Sequence, residues 1–289
     1  MKRKYLFFDI DGTLVAGGYG NKTYVPDSTK LALEKLREAG HFLAIATGRS
    51  QAMAVGYMRE LGFENMVSDG GYGVTINGEL IDITPLNKQD VIRVIDECKA
   101  KDIPWALQID NSVVRSAPDS RFEEFTHDVY MQTQVVEGLD PNNYDKIYKA
   151  YVACYEPTEQ TIESLKYVPW GRFLKEYIFI EPTDKAYGIR RVMDYFGADY
   201  SDVVVFGDAA NDLSMFVDGW TKVAMGNAID ALKQRADYVT TDVDKDGIYN
   251  EDYWKLKFDD GTLVRVFLFD NINGLPPFMA NKIIGAIFE

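Results

Sequence analysis

Residues 7–15 read FFDIDGTLV, an apolar strand end followed by two aspartates one residue apart and a glycine. Tyr5, Leu6, Phe7 and Phe8 lead into the pair as a run apolar on both faces, the pattern of a strand in a covered parallel sheet. Side chains alternate along a strand, so Asp9 and Asp11 lean to one side while Ile10 points away. Gly12 then allows the backbone to turn and to approach a ligand closely. Two like charges side by side repel unless something positive sits between them. A turn that merely ends a strand would account for such aspartates in isolation. The remainder of the chain decides between the two readings.

Strand and helix patterns alternate outward from this stretch, the signature of an α/β sheet. Pro26, Asp27 and Ser28 are helix-start signals, and the helix is expected to reach Ala39 and stop at Gly40. A strand is expected over His41–Ala46, ending at Thr47-Gly48-Arg49, with a second helix running to about Leu61. Asn77-Gly78, between Val74-Thr75-Ile76 and Leu80-Ile81, signals a hairpin. From about Ile83 to Asn87 the rhythm changes. Val91, Val94, Ile95 and Cys98 mark a helix, and short strands follow near Trp105–Ile109, Val113–Arg115, Ile147–Cys154 and Tyr177–Ile180. Residues 84–182 therefore read as an inserted α+β section. The α/β rhythm resumes with a helix over Ala186–Phe196 and the strand Val203–Phe206.

That strand ends in GDAANDLSMF, residues 207–216, again a glycine and carboxylates at the carboxyl end of an apolar run and at the start of a helix. Ligands of open α/β sheets bind outside those ends. Four such ends now carry polar groups: Asp9/Asp11, Thr47-Gly48-Arg49, Asp69-Gly70-Gly71, and Asp208/Asn211/Asp212. A lone GDxxND is ordinarily a helix N-cap, but four polar strand ends in one fold point to a site. Three converging aspartates need a cation, and carboxylate oxygens without His or Cys suit Mg²⁺. A cation beside a nucleophilic carboxylate fits phosphoryl transfer. Thr47 offers hydrogen bonds to a phosphate oxygen, and Lys185 the balancing positive charge.

The 289 residues suffice for one large or two modest domains with a real core. With 46% hydrophobic and 26% charged residues the chain is globular rather than disordered. Its net charge of −14 disfavours a nucleic-acid or anionic-membrane partner, while a local cation can still recruit a small phosphate. Cys98 and Cys154 lack CxxC spacing, which suits a reducing cytosol and no structural zinc. The apolar stretch after Lys2, Arg3 and Lys4 stops at Asp9, too short for a signal peptide. No run approaches the roughly 20 apolar residues of a membrane span. A soluble, cytoplasmic protein is expected.

DIDGTLV at 9–15, TGR at 47–49, Lys185 and GDAANDLSMF at 207–216 stand in the order and at the spacing of the four motifs of the haloacid dehalogenase-like hydrolases. The chain resembles that family over about residues 3–250. The mid-chain insert and VAMGNA at 223–228 are similar to its Cof-like sugar-phosphatase branch with a type IIB cap. The resemblance implies a Rossmann-like doubly wound core with an inserted α+β cap, Mg²⁺ dependence and an aspartyl-phosphate intermediate. Together with the change of rhythm at 84–182, the chain is expected to divide into core over 1–83, cap over 84–182 and core again over 183–257, with a C-terminal extension over 258–289 that lies beyond the resemblance. The resemblance further implies that Asp9 is nucleophile and metal ligand, and that Asp11 is general acid/base, reaching the metal through its carbonyl. Gly12, Thr47, Gly48 and Lys185 would meet the phosphate, with Asn211 positioning Lys185 or the phosphate. Asp208 would be the third protein ligand, and Asp212 would support the metal through water. Two positions depart from the pattern: Asp69-Gly70-Gly71 where many relatives have Asn-Gly-Gly or Asn-Gly-Ala, and Ala186 where glycine is usual after the lysine.

Asp11 argues against dehalogenation, because halide departs without a proton whereas an alkoxide leaving a phosphate ester needs one. The expectation is a phosphatase of small phosphorylated metabolites, a sugar phosphate or a phosphorylated cofactor, with phosphomutase as the mechanistic rival. Trp105, Gln108, Arg115, Tyr151 and Arg172 are substrate-selecting candidates by chemistry alone. A reading from a different class is calcium binding by DVDKDGIYNEDY, residues 242–253, which begins like an EF-hand loop but has Tyr253 where a bidentate Glu belongs. FDDGTLV at 258–264 echoes the opening stretch, yet adjacent Asp259 and Asp260 would point to opposite faces of a strand. Asp260-Gly261 reads as a hairpin turn. The apolar residues of 258–289 are expected to cover an edge or to mediate homo-oligomerisation.

Overall fold

The computed structural model describes residues 3–18, 21–249, 254–257 and 263–266. In chain order the elements are β1 (Tyr5–Phe8), β2 (Ala16–Gly18), β3 (Asn21–Tyr24), α1 (Asp27–Glu38), β4 (Phe42–Ala46), α2 (Gln51–Glu60), β5 (Asn65–Ser68), β6 (Gly73–Ile76), β7 (Glu79–Ile83) and α3 (Lys88–Ala100). Next come β8 (Trp105–Gln108), β9 (Val114–Ala117), α4 (Arg121–Thr126), β10 (Gln132–Val135), β11 (Lys149–Ala153), α5 (Glu156–Glu159), β12 (Trp170–Leu174), β13 (Tyr177–Ile180) and α6 (Lys185–Phe196). The chain closes with β14 (Val203–Gly207), β15 (Thr221–Ala224), α7 (Asp230–Lys233), β16 (Tyr238–Val239), β17 (Trp254–Lys257) and β18 (Leu263–Val266). Contacts divide it into two compact units, Met1–Ala44 with Ala198–Glu289, and Ile45–Gly197.

In the first unit β16, β15, β14 and β1 pair as parallel neighbours, with Tyr5 to Phe8 opposite Val203 to Phe206. Both runs are apolar because both faces are covered: Leu6, Phe7, Phe8, Val203 and Val205 have no exposed surface. Phe8 and Phe206 stack with ring centroids 4.5 Å apart. The α1 helix buries Thr29, Ala32, Leu33 and Leu36 on one face, and Gly40 at φ +81° follows its end. The start of β4 is held by the Phe42 N–H on the Lys4 carbonyl. The division between the units falls inside β4.

In the second unit the end of β4 meets β5 through the Thr47 N–H on the Val67 carbonyl, and β5, β6 and β7 continue as antiparallel neighbours. The Asn77-Gly78 hairpin forms as its dipeptide predicts, with φ +51° and +80° at the two positions. A separate six-stranded sheet runs in the order β10-β9-β8-β11-β13-β12. Alternation along its strands separates two cores. Trp105, Leu107, Ala150, Val152, Ile178 and Ile180 pack with Val91, Val94, Ile95 and Cys98 of α3. Ala106, Tyr151, Ala153 and Tyr177 pack with Phe122 of α4.

The fold is thus α/β with a parallel-stranded core, as the alternation predicts. Two strands of the insert, β10 and β12, escape the sequence reading because QTQV and WGRFL have no clean apolar alternation. The α-helix expected after Gly207 is instead a 3-10 segment, Ala210–Met215. Asp212 turns its carboxylate back onto the N–H groups of Asp208 and Ala209, which tightens that turn. Residues 242–247 form a turn closed by the Gly247 N–H on the Asp242 carbonyl, and Lys245 pairs with the Asp242 carboxylate. The strands β17 and β18 pair antiparallel, while Asp260, Gly261, Tyr253 and residues 267–289 lie outside the described residues. Among the described residues no helix is long and apolar enough to cross a membrane.

Candidate active site

Adjacent strand ends assemble the acidic half of the site. The β1–β14 ladder continues one rung further, with the Asp9 N–H on the Phe206 carbonyl at 3.0 Å. Asp9 and Asp208 therefore leave neighbouring strands side by side. Asp9, Asp208 and Asp212 bring carboxylate oxygens within 4.8 Å of one another, and they are the one such acidic group among the described residues. Asp9 and Asp212 are buried, whereas the Asp11 side chain is exposed and stands outside this group.

The loop after Asp9 is held by the N–H groups of Leu14 and Val15 on the Ile10 carbonyl and by the Gly12 N–H on the Val15 carbonyl. Gly12 has φ +85°, and a β-carbon there would lie 2.2 Å from Oδ2 of Asp208. Only glycine meets both demands. The Thr13 hydroxyl donates to Oδ1 of Asp208 at 2.8 Å. Asn227 donates to the Gly12 carbonyl at 2.9 Å and to Oδ2 of Asp208 at 3.4 Å, while its own oxygen accepts the Val243 N–H at 2.9 Å. Oδ2 of Asp212 accepts the N–H groups of Asp208 and Ala209, each at 2.9 Å. Asn211, on the same 3-10 segment, is exposed.

Three close carboxylates, two of them buried, repel strongly without a cation. The donors are all oxygens and include no His or Cys, so the set fits a hard divalent ion such as Mg²⁺. Among the described residues the acidic turn at 242–247 offers no comparable group of three, and one of its carboxylates is already engaged by Lys245.

The second unit carries Thr47, Gly48 and Lys185. Thr47, at the end of β4, is 1% exposed, and its hydroxyl oxygen accepts the Arg49 N–H at 3.1 Å. The Arg49 carbonyl accepts the Asp69 N–H at 2.8 Å, and the Asp69 carboxylate accepts the Gln51 N–H at 3.0 Å and the Ser68 hydroxyl at 2.9 Å. Gly70 and Gly71 floor the segment that returns to α6. A β-carbon on either would lie 1.8 Å from a carbonyl oxygen, that of Pro182 or of Asp184. Asp184 caps α6 by accepting the Tyr187 N–H at 3.0 Å. Lys185 begins the helix and is almost fully buried.

Asp69 is itself a buried carboxylate. Burial pushes its pKa up, against the nearby Lys149 ammonium, which pulls it down. Glu181 is raised for the same reason and is also opposed by Lys149. Burial works against the charge on Lys149, but Glu181 and Asp69 prevail and hold its pKa above the ordinary lysine value.

The five substrate-selecting candidates are taken up internally. Trp105 packs in the α3 core. Gln108 accepts the Tyr151 hydroxyl at 3.1 Å and donates to the Ser112 carbonyl at 3.1 Å. Arg115 is fully buried, paired with Asp128 at 2.7 Å, and its guanidinium lies 4.6 to 5.6 Å from the rings of Phe122, Tyr151 and Tyr177. Arg172 pairs with Glu159 and donates to the Cys154 carbonyl at 2.9 Å. Sequence reasoning gave no role to Thr13 or Asn227, although both stand inside the quoted stretches. It missed Lys149 entirely, for which no local signal exists.

The family model described as haloacid dehalogenase-like hydrolase matches residues 6–251. YkrA of Bacillus subtilis (strain 168), provisionally named a phosphatase, is 32% identical over 259 residues, spanning 86% of this chain and 96% of its own. The crystal structure of a hypothetical protein from Geobacillus kaustophilus HTA426 matches with a TM-score of 0.74 at 31% identity, covering 86% of this chain and 96% of that one. The subclass IIB sugar phosphatase BT4131 matches with a TM-score of 0.68 at 27% identity over 85% of this chain and 96% of its own.

Proposed function

The chain belongs to the haloacid dehalogenase-like hydrolases and is an enzyme of their phosphatase branch, and on that premise we propose that it is a Mg²⁺-dependent hydrolase of small phosphomonoesters working through an aspartyl-phosphate at Asp9. The observation that carries this reading is the convergence of Asp9, Asp208 and Asp212 at adjacent strand ends. Asp9 and Asp208, the carbonyl of Asp11 and, through water, Asp212 would hold the ion. Bound there, Mg²⁺ would neutralise the carboxylates and shield the phosphate's charge from the nucleophile.

A carboxylate oxygen of Asp9 attacks phosphorus as the bond to the ester oxygen breaks. The Asp11 carboxyl gives its proton to the departing alkoxide. Asp11, now ionised, takes a proton from water, whose oxygen attacks the phosphoryl group, releasing phosphate and regenerating Asp9. Exposure of the Asp11 side chain suits a group that must exchange protons with a leaving group and with water. Thr47, Gly48 and Lys185 are assigned to the phosphate oxygens, and Asn211 to positioning Lys185 or the phosphate, on their place in the family motifs. A sugar phosphate is the first substrate class to examine, since BT4131 is a sugar phosphatase.

The test is phosphate release from a panel of phosphorylated sugars, nucleotides and cofactors, with Mg²⁺ and with chelator. Turnover of some members, lost with chelator and in Asp9→Asn, is expected. Failure to turn over any phosphomonoester with Mg²⁺ present, p-nitrophenyl phosphate included, would overturn the reading.

A further inference from the structure

Gly48 and Arg49 share one peptide bond, and both of its polar atoms are engaged. The Gly48 carbonyl accepts from Nζ of Lys149 at 3.0 Å. The Arg49 N–H, on the other side of the same bond, donates to Oγ1 of Thr47 at 3.1 Å. A peptide unit is planar and resists twisting, so a grip on its oxygen also sets the direction of its N–H. A hydroxyl oxygen that accepts that N–H keeps its own proton for a different acceptor. A charged donor on the carbonyl polarises the amide and strengthens the hydrogen bond that its N–H donates.

Lys149 reaches this peptide from far away in the chain, as the first residue of β11 in the six-stranded sheet. It is 5% exposed. An ammonium is costly to bury unless its partners are good, and here they are. Lys149 pairs directly with Glu181, the first residue of the segment that returns to Lys185. Asp69 adds its charge to the same ammonium, and holds the loop at two further points, Arg49 O and Gln51 N. Three segments, 47–51, 69–71 and 181–185, therefore meet around one cation.

We propose that Lys149 is a positioning residue for phosphate binding, acting through the Gly48–Arg49 peptide on the Thr47 hydroxyl and through Glu181 on the segment that delivers Lys185. The inference rests on the phosphatase reading for the identity of the ligand. Its content is separate: a strand of the six-stranded sheet organises the phosphate loop without touching substrate. A purely structural ion pair would lower stability when broken and leave the folded protein's phosphate affinity alone.

The test compares the full chain with Lys149→Met, and with Glu97→Gln as a control. Glu97 accepts from Ser164 and Glu163 in the same unit, away from this loop. Inorganic phosphate binding is measured by calorimetry with Mg²⁺ present, and KM and kcat with p-nitrophenyl phosphate. Lys149→Met should weaken phosphate binding and raise KM on the order of tenfold, the effect of losing one charge-assisted hydrogen bond. Glu97→Gln should lower the melting temperature with phosphate affinity unchanged. Should Lys149→Met not fold, the Lys149→Met, Glu181→Gln double variant removes the stranded charge and should show the same loss. A folded variant of either kind with wild-type phosphate affinity and KM overturns the proposal, as does a wild type that binds no phosphate. A wild type that binds phosphate yet hydrolyses no ester overturns the phosphatase reading alone.

Discussion

Gly12 and Asp208 stand so close that a β-carbon on Gly12 would lie 2.2 Å from Oδ2 of the Asp208 carboxylate. The space that a side chain would occupy is filled by a metal-ligand candidate. Gly12→Ala must therefore move Asp208 and also strain a backbone at φ +85°. We expect Mg²⁺-dependent turnover to fall at least tenfold, with a stability loss of about 1–2 kcal/mol from the left-handed conformation. A Mg²⁺ titration and a melting curve check both parts. Wild-type Mg²⁺ dependence in Gly12→Ala would show that Asp208 is not held as described.

Asp9 and Asp11 should fail in different ways. Asp9→Asn removes the proposed nucleophile and should abolish phosphoenzyme formation. Asp11→Asn keeps the nucleophile and loses proton transfer, an effect of about 10²–10⁴-fold on alkyl phosphates. The loss should shrink for aryl or acyl phosphates, whose leaving groups need no proton. Rapid-quench labelling with an acyl phosphate and a leaving-group series measure both. Equal losses on alkyl and acyl phosphates in Asp11→Asn would refute this division of labour.

Asn227 ties the loop after Asp9 to Asp208 and to the turn at Val243 with one side chain. Asn227→Ala leaves the Gly12 carbonyl and the Val243 N–H without this partner. The expected cost is about 0.5–1.5 kcal/mol of stability, with a weaker apparent Mg²⁺ affinity. Denaturant unfolding and Mg²⁺ titration report the two separately. A stability loss with unchanged Mg²⁺ affinity would confine Asn227 to holding the fold.

His41 should make the first unit sensitive to mild acid. Its Nδ1 accepts the Lys4 N–H at 3.1 Å, and its buried Nε2 has no hydrogen-bond partner. Burial, then the charges of Lys4, the N-terminus and Arg3, lower its pKa from 6.5. Above pH 6.5 the ring is neutral folded or unfolded and costs nothing. As pH falls below that value the unfolded chain takes up a proton that the native state refuses, so stability drops until the lower native pKa is passed. Glu97 acts in a separate window. Burial raises its pKa, but bonds from Lys101, Ser164 and Glu163 outweigh this and bring it to about 2, so its stabilisation fades only below its unfolded value of 4.5. His41→Gln should lose less stability than wild type between about pH 7.5 and about pH 5 in denaturant unfolding. Parallel slopes for the two proteins would remove His41 from the account.

The convergence of Asp9 and Asp208 is legible in the sequence because its grammar is local. An apolar run that ends in DxDGT commits a strand, a turn and two carboxylates within nine residues, and Val203–Asp208 repeats the pattern. Parallel neighbours in an α/β sheet end on the same side, so two such stretches imply one acidic site. Helix faces such as Val91, Val94, Ile95 and Cys98 are equally plain, since a 3.6-residue period writes burial into spacing. Arg115 and Lys149 are of the other kind. A lone cation on a short strand reads as a solvated or ligand-binding group, and no period marks it as enclosed. Only the packing of Phe122, Tyr151 and Tyr177 around Arg115 makes it an interior residue. Only the sheet register that sets Lys149 opposite Gln108 carries its ammonium to the Gly48 carbonyl, 101 residues away. Spacing along the chain encodes which face of an element is buried. Which distant charge meets that face is decided by how strands pair, and so appears only when the chain is folded.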